Sequence, residues 1–117
     1  MVIEREILNY LSENLTVPVY MYRPESNPNP GMLSFVIVQK TGGSMTDGMV
    51  RHATIAIQTY APTAEEAAEL MEDVITVMWN MDRHDIPQAD LESGPVPFPL
   101  TSTKQPRYQA VYAITHY

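Results

Sequence analysis

The spacing of apolar residues predicts two amphipathic helices. Apolar side chains recur at helical spacing from Ile3 to Leu15, with polar residues between them, which predicts a first helix over residues 3–14. A second helix is predicted over residues 63–81, because Thr63 can act as its N-cap and Glu66 can complete a capping box. Its expected buried stripe comprises Ala67, Leu70, Met71, Val74, Val77, Met78 and Met81, and its expected exposed face comprises Glu65, Glu66, Glu69, Glu72 and Asp73.

Trp79 falls beyond the apolar stripe of the second helix. Two interpretations stay open for it. The pattern favours a core aromatic residue, and the alternative is a contact between subunits, where tryptophan is enriched.

Alternating and continuous apolar runs predict the strands. Residues 50–60 carry Ala53, Ile55 and Ile57 at alternate positions, the pattern of a strand with one covered face. Residues 33–41 are apolar on both faces, which places this strand inside a sheet. Residues 17–22 and 108–117 are also predicted strands. Residues 86–92 are predicted as an edge strand, and the prolines at 95, 97 and 99 are expected to break any pairing after Gly94.

Two segments are predicted to be loops. Residues 23–32 are rich in proline and asparagine, which is typical of an exposed loop. Residues 42–49 contain three glycines and two methionines, which predicts a mobile hairpin loop of about eight residues. This hairpin loop is either a docking element or simply a solvent-exposed connection.

The resulting element order is α-β-β-β-α-(β)-β over one domain of residues 1–117. Neighbouring strands linked by hairpins predict a mainly antiparallel sheet. We therefore expect the α+β class, with two amphipathic helices packed on one face of a four- to five-stranded sheet.

Charge and composition narrow the function classes. The formal net charge is −7, and the seven Lys and Arg residues are scattered, so sequence-independent binding of nucleic acid is not expected. There is no cysteine, which excludes a disulfide framework and a thiolate nucleophile. The N-terminus lacks the basic start of a signal peptide, and no apolar run approaches the roughly 20 residues of a membrane span, so a cytoplasm-like compartment is expected.

The sequence carries no motif that predicts catalysis. His52, His84 and His116 share no metal-ligand spacing, and the first and last of them are expected to be half-buried or exposed strand residues. The Gly42-Gly43 pair has no downstream lysine at the spacing of a phosphate-binding loop. We expect no catalytic, cofactor-binding or metal-binding residue and no enzyme activity.

Five stretches, in their order along the chain, carry a family resemblance. The N-terminal helix leads into Val17-Pro18-Val19-Tyr20, and a proline-containing loop precedes the strand that runs into Gly42-Gly43. The strand 53–61 is followed by the helix start at Thr63, and Gly94-Pro95 is followed by Pro106-Arg107-Tyr108 at the entry to the last strand. In this order the chain resembles the tail terminator (tail completion) proteins of long-tailed bacteriophages. The prolines at 95–99 depart from the family pattern.

The resemblance implies a structural virion protein at the tail or neck, assembled in the bacterial cytoplasm. It implies a homo-oligomeric ring, commonly of six subunits, that caps the tail tube and stops its polymerisation. The partners would be the tail tube protein and a head-completion or stopper protein, with DNA passing through the lumen without specific binding. A lumen lined by acidic side chains would repel the passing DNA. The expected subunit or partner contacts are Met45, Thr46, Asp47, Met49, Trp79, Phe98 and Arg107.

Three alternatives stay open. One is another phage neck or connector protein, one is a small acidic α+β domain that binds a ligand or acts as an enzyme, and one is an antitoxin-like adaptor that binds a basic partner through the glutamate-rich helix.

Overall fold

A computed structural model describes residues 2–21, 34–46, 50–97 and 106–117. The described elements are two helices and five strands, in the predicted order. They are α1 (Ile3–Asn14), β1 (Val19–Tyr20), β2 (Phe35–Thr46), β3 (Val50–Tyr60), α2 (Ala64–Trp79), β4 (Gln88–Pro97) and β5 (Arg107–His116). The predicted loop at 23–32 lies outside the described residues.

The five strands form one sheet in the order β1-β2-β3-β5-β4. β1 pairs with β2 in parallel, and the other three pairings are antiparallel. The expected α+β class is confirmed, and β4 lies at an edge of the sheet as predicted. β2 lies between β1 and β3, which agrees with its apolar residues on both faces.

The start of α2 confirms the predicted N-cap at Thr63. The Oγ1 atom of Thr63 accepts a hydrogen bond from the backbone N–H of Glu66 at 3.1 Å, which satisfies one of the free donors of the first turn. A buried hydrogen bond from Thr59 Oγ1 to the carbonyl oxygen of Ala67, 2.9 Å long, attaches this turn to β3. The junction between β3 and α2 is therefore held on both sides of the turn.

Apolar residues of both helices and of alternate strand positions form one continuous core cluster. Each fully buried aliphatic side chain of this kind contributes roughly 1.5–3 kcal/mol through burial. Fully buried members include Ile7 and Leu11 of α1, Met71 and Val74 of α2, and Ile57 of β3. A separate cluster of Phe35, Ile37 and Tyr60 occupies the strand positions in between; successive strand residues point to opposite faces of the sheet.

The prediction of an eight-residue hairpin loop is wrong. β2 continues through the glycine pair to Thr46 and β3 begins at Val50, so only residues 47–49 lie between the paired strands. The pairing of β2 with β3 is irregular at one point, where the register shifts between Lys40 and Gly42. A Cβ atom at Gly43 would lie 3.0 Å from the carbonyl oxygen of His52, so glycine here permits a close approach of the two backbones.

Two other strand boundaries differ from the predictions. β4 runs through Pro95 to Pro97 with two register shifts, because an edge strand has one side on which a missing N–H donor costs nothing. Gly94 has a φ of +88°, and a Cβ there would lie 2.5 Å from the carbonyl oxygen of Gln109. Of the first predicted strand, 17–22, the described residues 17–21 contain only the two paired residues of β1.

Candidate interaction surfaces

The structure separates the predicted contact residues. Met45 and Thr46 lie in β2, opposite Arg51 and Val50. Trp79 ends α2, whereas Arg107 begins β5 opposite the last residue of β3. α2 starts close to that end of β3 and extends about 24 Å away from it at 1.5 Å per residue, so Trp79 and Arg107 belong to different surfaces. Asp47, Met49 and Phe98 lie outside the described residues.

Trp79 is exposed, and the core interpretation is wrong. Its exposed fraction is 87%. It borders a depression of about 180 Å³ lined by Met78, Met81, Ile86, Pro87 and Ala89. Trp79 follows the exposed Glu72 by seven residues, two turns of α2, so its side chain lies on the exposed face of the helix. An exposed tryptophan beside apolar side chains is typical of a surface that meets a partner.

Arg107 is buried in a row of polar residues that crosses β3 and β5. Its Nη1 donates to the hydroxyl oxygen of Tyr60 at 3.0 Å, and that hydroxyl donates to Gln58 Oε1 at 3.2 Å. Gln58 Nε2 donates in turn to Gln109 Oε1 at 2.9 Å. The register explains the row, because Tyr60 lies opposite Arg107 and Gln58 lies opposite Gln109.

An aromatic stack supports this polar row. The rings of Phe35 and Tyr60 are nearly parallel, with centroids 4.6 Å apart, and Tyr20 meets Phe35 edge-on at 6.0 Å. The Arg107 guanidinium carbon lies 5.7 Å from the centroid of the Tyr60 ring. Arg107 is only 9% exposed, so a partner would meet the edge of a rigid, hydrogen-bonded cluster rather than a free cation.

A basic pocket of about 780 Å³ lies at the opposite end of β3. Its lining includes Ile3 and Glu4 at the start of α1, Lys40 of β2, Arg51 and His52 of β3, and His116 of β5. Two of the seven Lys and Arg residues of an acidic chain therefore line one pocket. Within the described ranges, neither Lys40 nor Arg51 makes an ion pair.

His116 is a buried member of this basic pocket, contrary to the expectation of a half-buried or exposed residue. It is 3% exposed. Its Nδ1 lies 3.2 Å from the carbonyl oxygen of Tyr117, so Nδ1 is the donor of that contact. Nε2 has no hydrogen-bond partner in the described part of the chain.

The ion pairs of the described residues converge on Arg83. Its Nη2 contacts Glu6 Oε1 of α1 at 2.8 Å and Asp85 Oδ2 at 2.6 Å. The hydrogen bond to Asp85, and then the one to Glu6, raise the pKa of Arg83. The hydrogen bond from Arg83 lowers the pKa of Asp85. This cluster fastens α1 to the turn that follows α2.

The acidic face of α2 is exposed along its length. Glu65, Glu66, Glu69, Glu72 and Asp73 are all exposed, and the helix contains no basic residue. The like charges of Glu65 and Glu69, and of Glu69 and Asp73, are four residues apart, a spacing that destabilises a helix by about 0.2–0.5 kcal/mol per pair. No described cation offsets this repulsion.

The exposed strand β4 is poorly suited to pair with another strand. Register shifts follow Leu91 and Ser93, and prolines occupy two of its last three positions. Such bulges, prolines and charged side chains protect edges against strand addition. Side-chain contacts are therefore a better basis for association than strand pairing at this edge.

Within the described ranges, no group of three or more His, Cys, Asp or Glu residues is arranged to hold a metal ion. In the same ranges, no helix has the length and apolar character needed to cross a membrane.

A scan against protein-family models finds no match for the chain, and neither does a search of curated proteins.

Sequence reasoning missed the basic pocket and the polar row. Both depend on strand register, which brings Arg51 next to His116 and Tyr60 next to Arg107 from distant parts of the sequence. A signal was present for the pocket, since Lys40 and Arg51 occupy the two arms of one predicted hairpin.

Proposed function

We propose that this chain is a structural subunit of a bacteriophage tail, a tail terminator that assembles into a ring on the end of the tail tube. The observation that carries the proposal is the order of family-like stretches along nearly the whole chain. The two helices and five strands follow that same order, which supports the proposal without being specific to this function.

In this role the protein works by geometry and not by turnover. The ring, of about six subunits by analogy with the family, would stop tube polymerisation and present a surface to the head-completion or stopper protein. DNA would pass through the lumen without specific binding. A heterologous ring needs two different patches on each subunit, and the exposed Trp79 is available to contribute to one of them.

The test is deletion of the gene in the phage that encodes the chain, followed by electron microscopy of the tails. We expect tails of uncontrolled length and no joined heads, and complementation with the intact gene should restore both. Tails of normal length in the deletion would refute the proposal.

A second measurement uses the surface residue Trp79. Because Trp79 is 87% exposed, Trp79→Ser should leave the unfolding midpoint nearly unchanged and weaken complementation. Ile57→Ser, at a fully buried core position, is the contrasting variant, since it should lose complementation through loss of folding.

A further inference from the structure

The two oppositely charged surfaces of this chain make no ion pair with each other in the described ranges. The basic pocket includes Arg51 at the start of β3, and the acidic face of α2 begins at Glu65, five residues beyond the end of that strand. A strand of eleven residues spans about 33 Å, which separates Arg51 from Glu65. Both charged surfaces are therefore available to a second copy of the chain.

The basic pocket has the chemistry of a carboxylate acceptor. Lys40 and Arg51 are exposed and have no ion pair in the described ranges, and the first turn of α1 adds the positive end of a helix dipole. Glu4 is the opposing charge in the lining. The buried ring of His116 lines the same pocket, and its Nε2 has no hydrogen-bond partner among the described residues.

The acidic face of α2 has the matching chemistry. Glu65, Glu69 and Glu72 recur at the spacing that places side chains on one helix face, opposite the buried Ala67 and Val74. Their mutual repulsion is not relieved within the described part of the chain. Contact with a cationic surface would remove that repulsion.

We propose that the acidic face of α2 in one copy docks against the basic pocket of the next copy. The two patches are different surfaces of the chain, so the contact is heterologous, and its repetition generates a ring or an open chain. In a phage tail this contact would close the ring, and that role rests on the proposed function.

The experiment is a charge exchange between two variants, followed by sedimentation velocity. Lys40→Glu with Arg51→Glu reverses the pocket, and Glu65→Lys with Glu69→Lys reverses the helix face. Wild type should associate as its concentration rises, and added salt should weaken this association. Each double variant alone should associate at least tenfold more weakly than wild type.

An equimolar mixture of the two variants should associate again. In an alternating assembly the reversed pocket of one variant meets the reversed helix of the other, and the two unaltered patches also meet. Restored association, with both variants present in equal amounts in the assembly, is the expected result. The matched control is Asp82→Lys with Asp90→Lys, which changes two exposed acidic residues outside α2 and outside the lining of the pocket and should associate like wild type.

Three results would overturn the proposal. One is single variants that associate as strongly as wild type, and another is a mixture that associates no better than its components. The third is wild type that stays monomeric at its highest soluble concentration. The proposed function is tested separately, by tail length. If a variant fails the exchange test and its phage still makes tails of controlled length, the contact is refuted and the proposed function is not.

Discussion

Removing the hydroxyl group of Tyr60 tests whether the polar row around Arg107 is part of the folded core. Tyr60→Phe removes the acceptor of the bond from Arg107 Nη1 and the donor to Gln58 Oε1. It keeps the ring that stacks on Phe35 at 4.6 Å. The substitution therefore changes the hydrogen bonds and leaves the aromatic packing in place.

The magnitude follows from the two lost bonds. A hydrogen bond to a charged group contributes about 1.5–3 kcal/mol and a neutral one about 0.5–1.5 kcal/mol. Tyr60 and Arg107 also make further interactions, so part of the bonding survives and the low end of the sum applies. We expect the free energy of unfolding to fall by about 2 kcal/mol, with an unchanged denaturant m value.

The assay is equilibrium unfolding in urea, with Tyr108→Phe as the matched control. Tyr108 is the neighbour of Arg107, is half-buried, and its hydroxyl makes no hydrogen bond to a described residue. Its substitution should change stability by less than about 0.5 kcal/mol. If Tyr60→Phe is no more destabilising than Tyr108→Phe, the hydrogen-bonded row does not stabilise the fold and the reasoning fails.

Three further predictions concern other parts of the fold. Gly94→Ala should lower the free energy of unfolding by about 2 kcal/mol or more in a urea titration, because a Cβ at φ +88° would meet backbone atoms; an unchanged midpoint would contradict this. In calorimetry, Tyr10→Phe should lower the free energy of unfolding by about 1 kcal/mol, because the Tyr10 hydroxyl donates a 2.6 Å hydrogen bond to a backbone carbonyl. Tyr112→Phe should leave the free energy of unfolding unchanged, because the buried Tyr112 hydroxyl has no partner among the described residues. The hydrogen bond from Arg83 lowers the pKa of Asp85, so this ion pair stabilises the fold at pH values above the ordinary pKa of a carboxyl group. The contribution disappears as the pH falls through the lowered pKa. Arg83→Gln should therefore lower the free energy of unfolding at neutral pH and change it very little at acid pH.

The elements that the sequence predicted well are those with local chemistry. α1 begins at Ile3 and ends at Asn14 as its apolar spacing predicts, and α2 begins at the predicted Thr63 cap. The α+β class and the edge position of β4 follow from element order and composition. In each case neighbours in the sequence supply the decisive interaction.

The errors occur where a paired strand overrides a local preference. Gly42 and Gly43 favour a loop by composition, yet pairing with β3 holds them in a strand. Pro95 and Pro97 remain in β4 because they lie at an edge. The favoured core position of Trp79 is wrong for a different reason, because Trp79 lies two turns after Glu72 on the exposed face of α2.

The two ends of β3 differ in what they offer to another molecule. At the Tyr60 end, the charge of Arg107 lies in a buried network, so it contributes rigidity more than attraction. At the Arg51 end, the cations are exposed and unpaired in the described ranges, so their charge is available to a partner. Long-range attraction should therefore come from the Arg51 end and from the acidic face of α2. The contacts that fix orientation should come from exposed apolar side chains such as Trp79, because charge pairs alone tolerate many orientations.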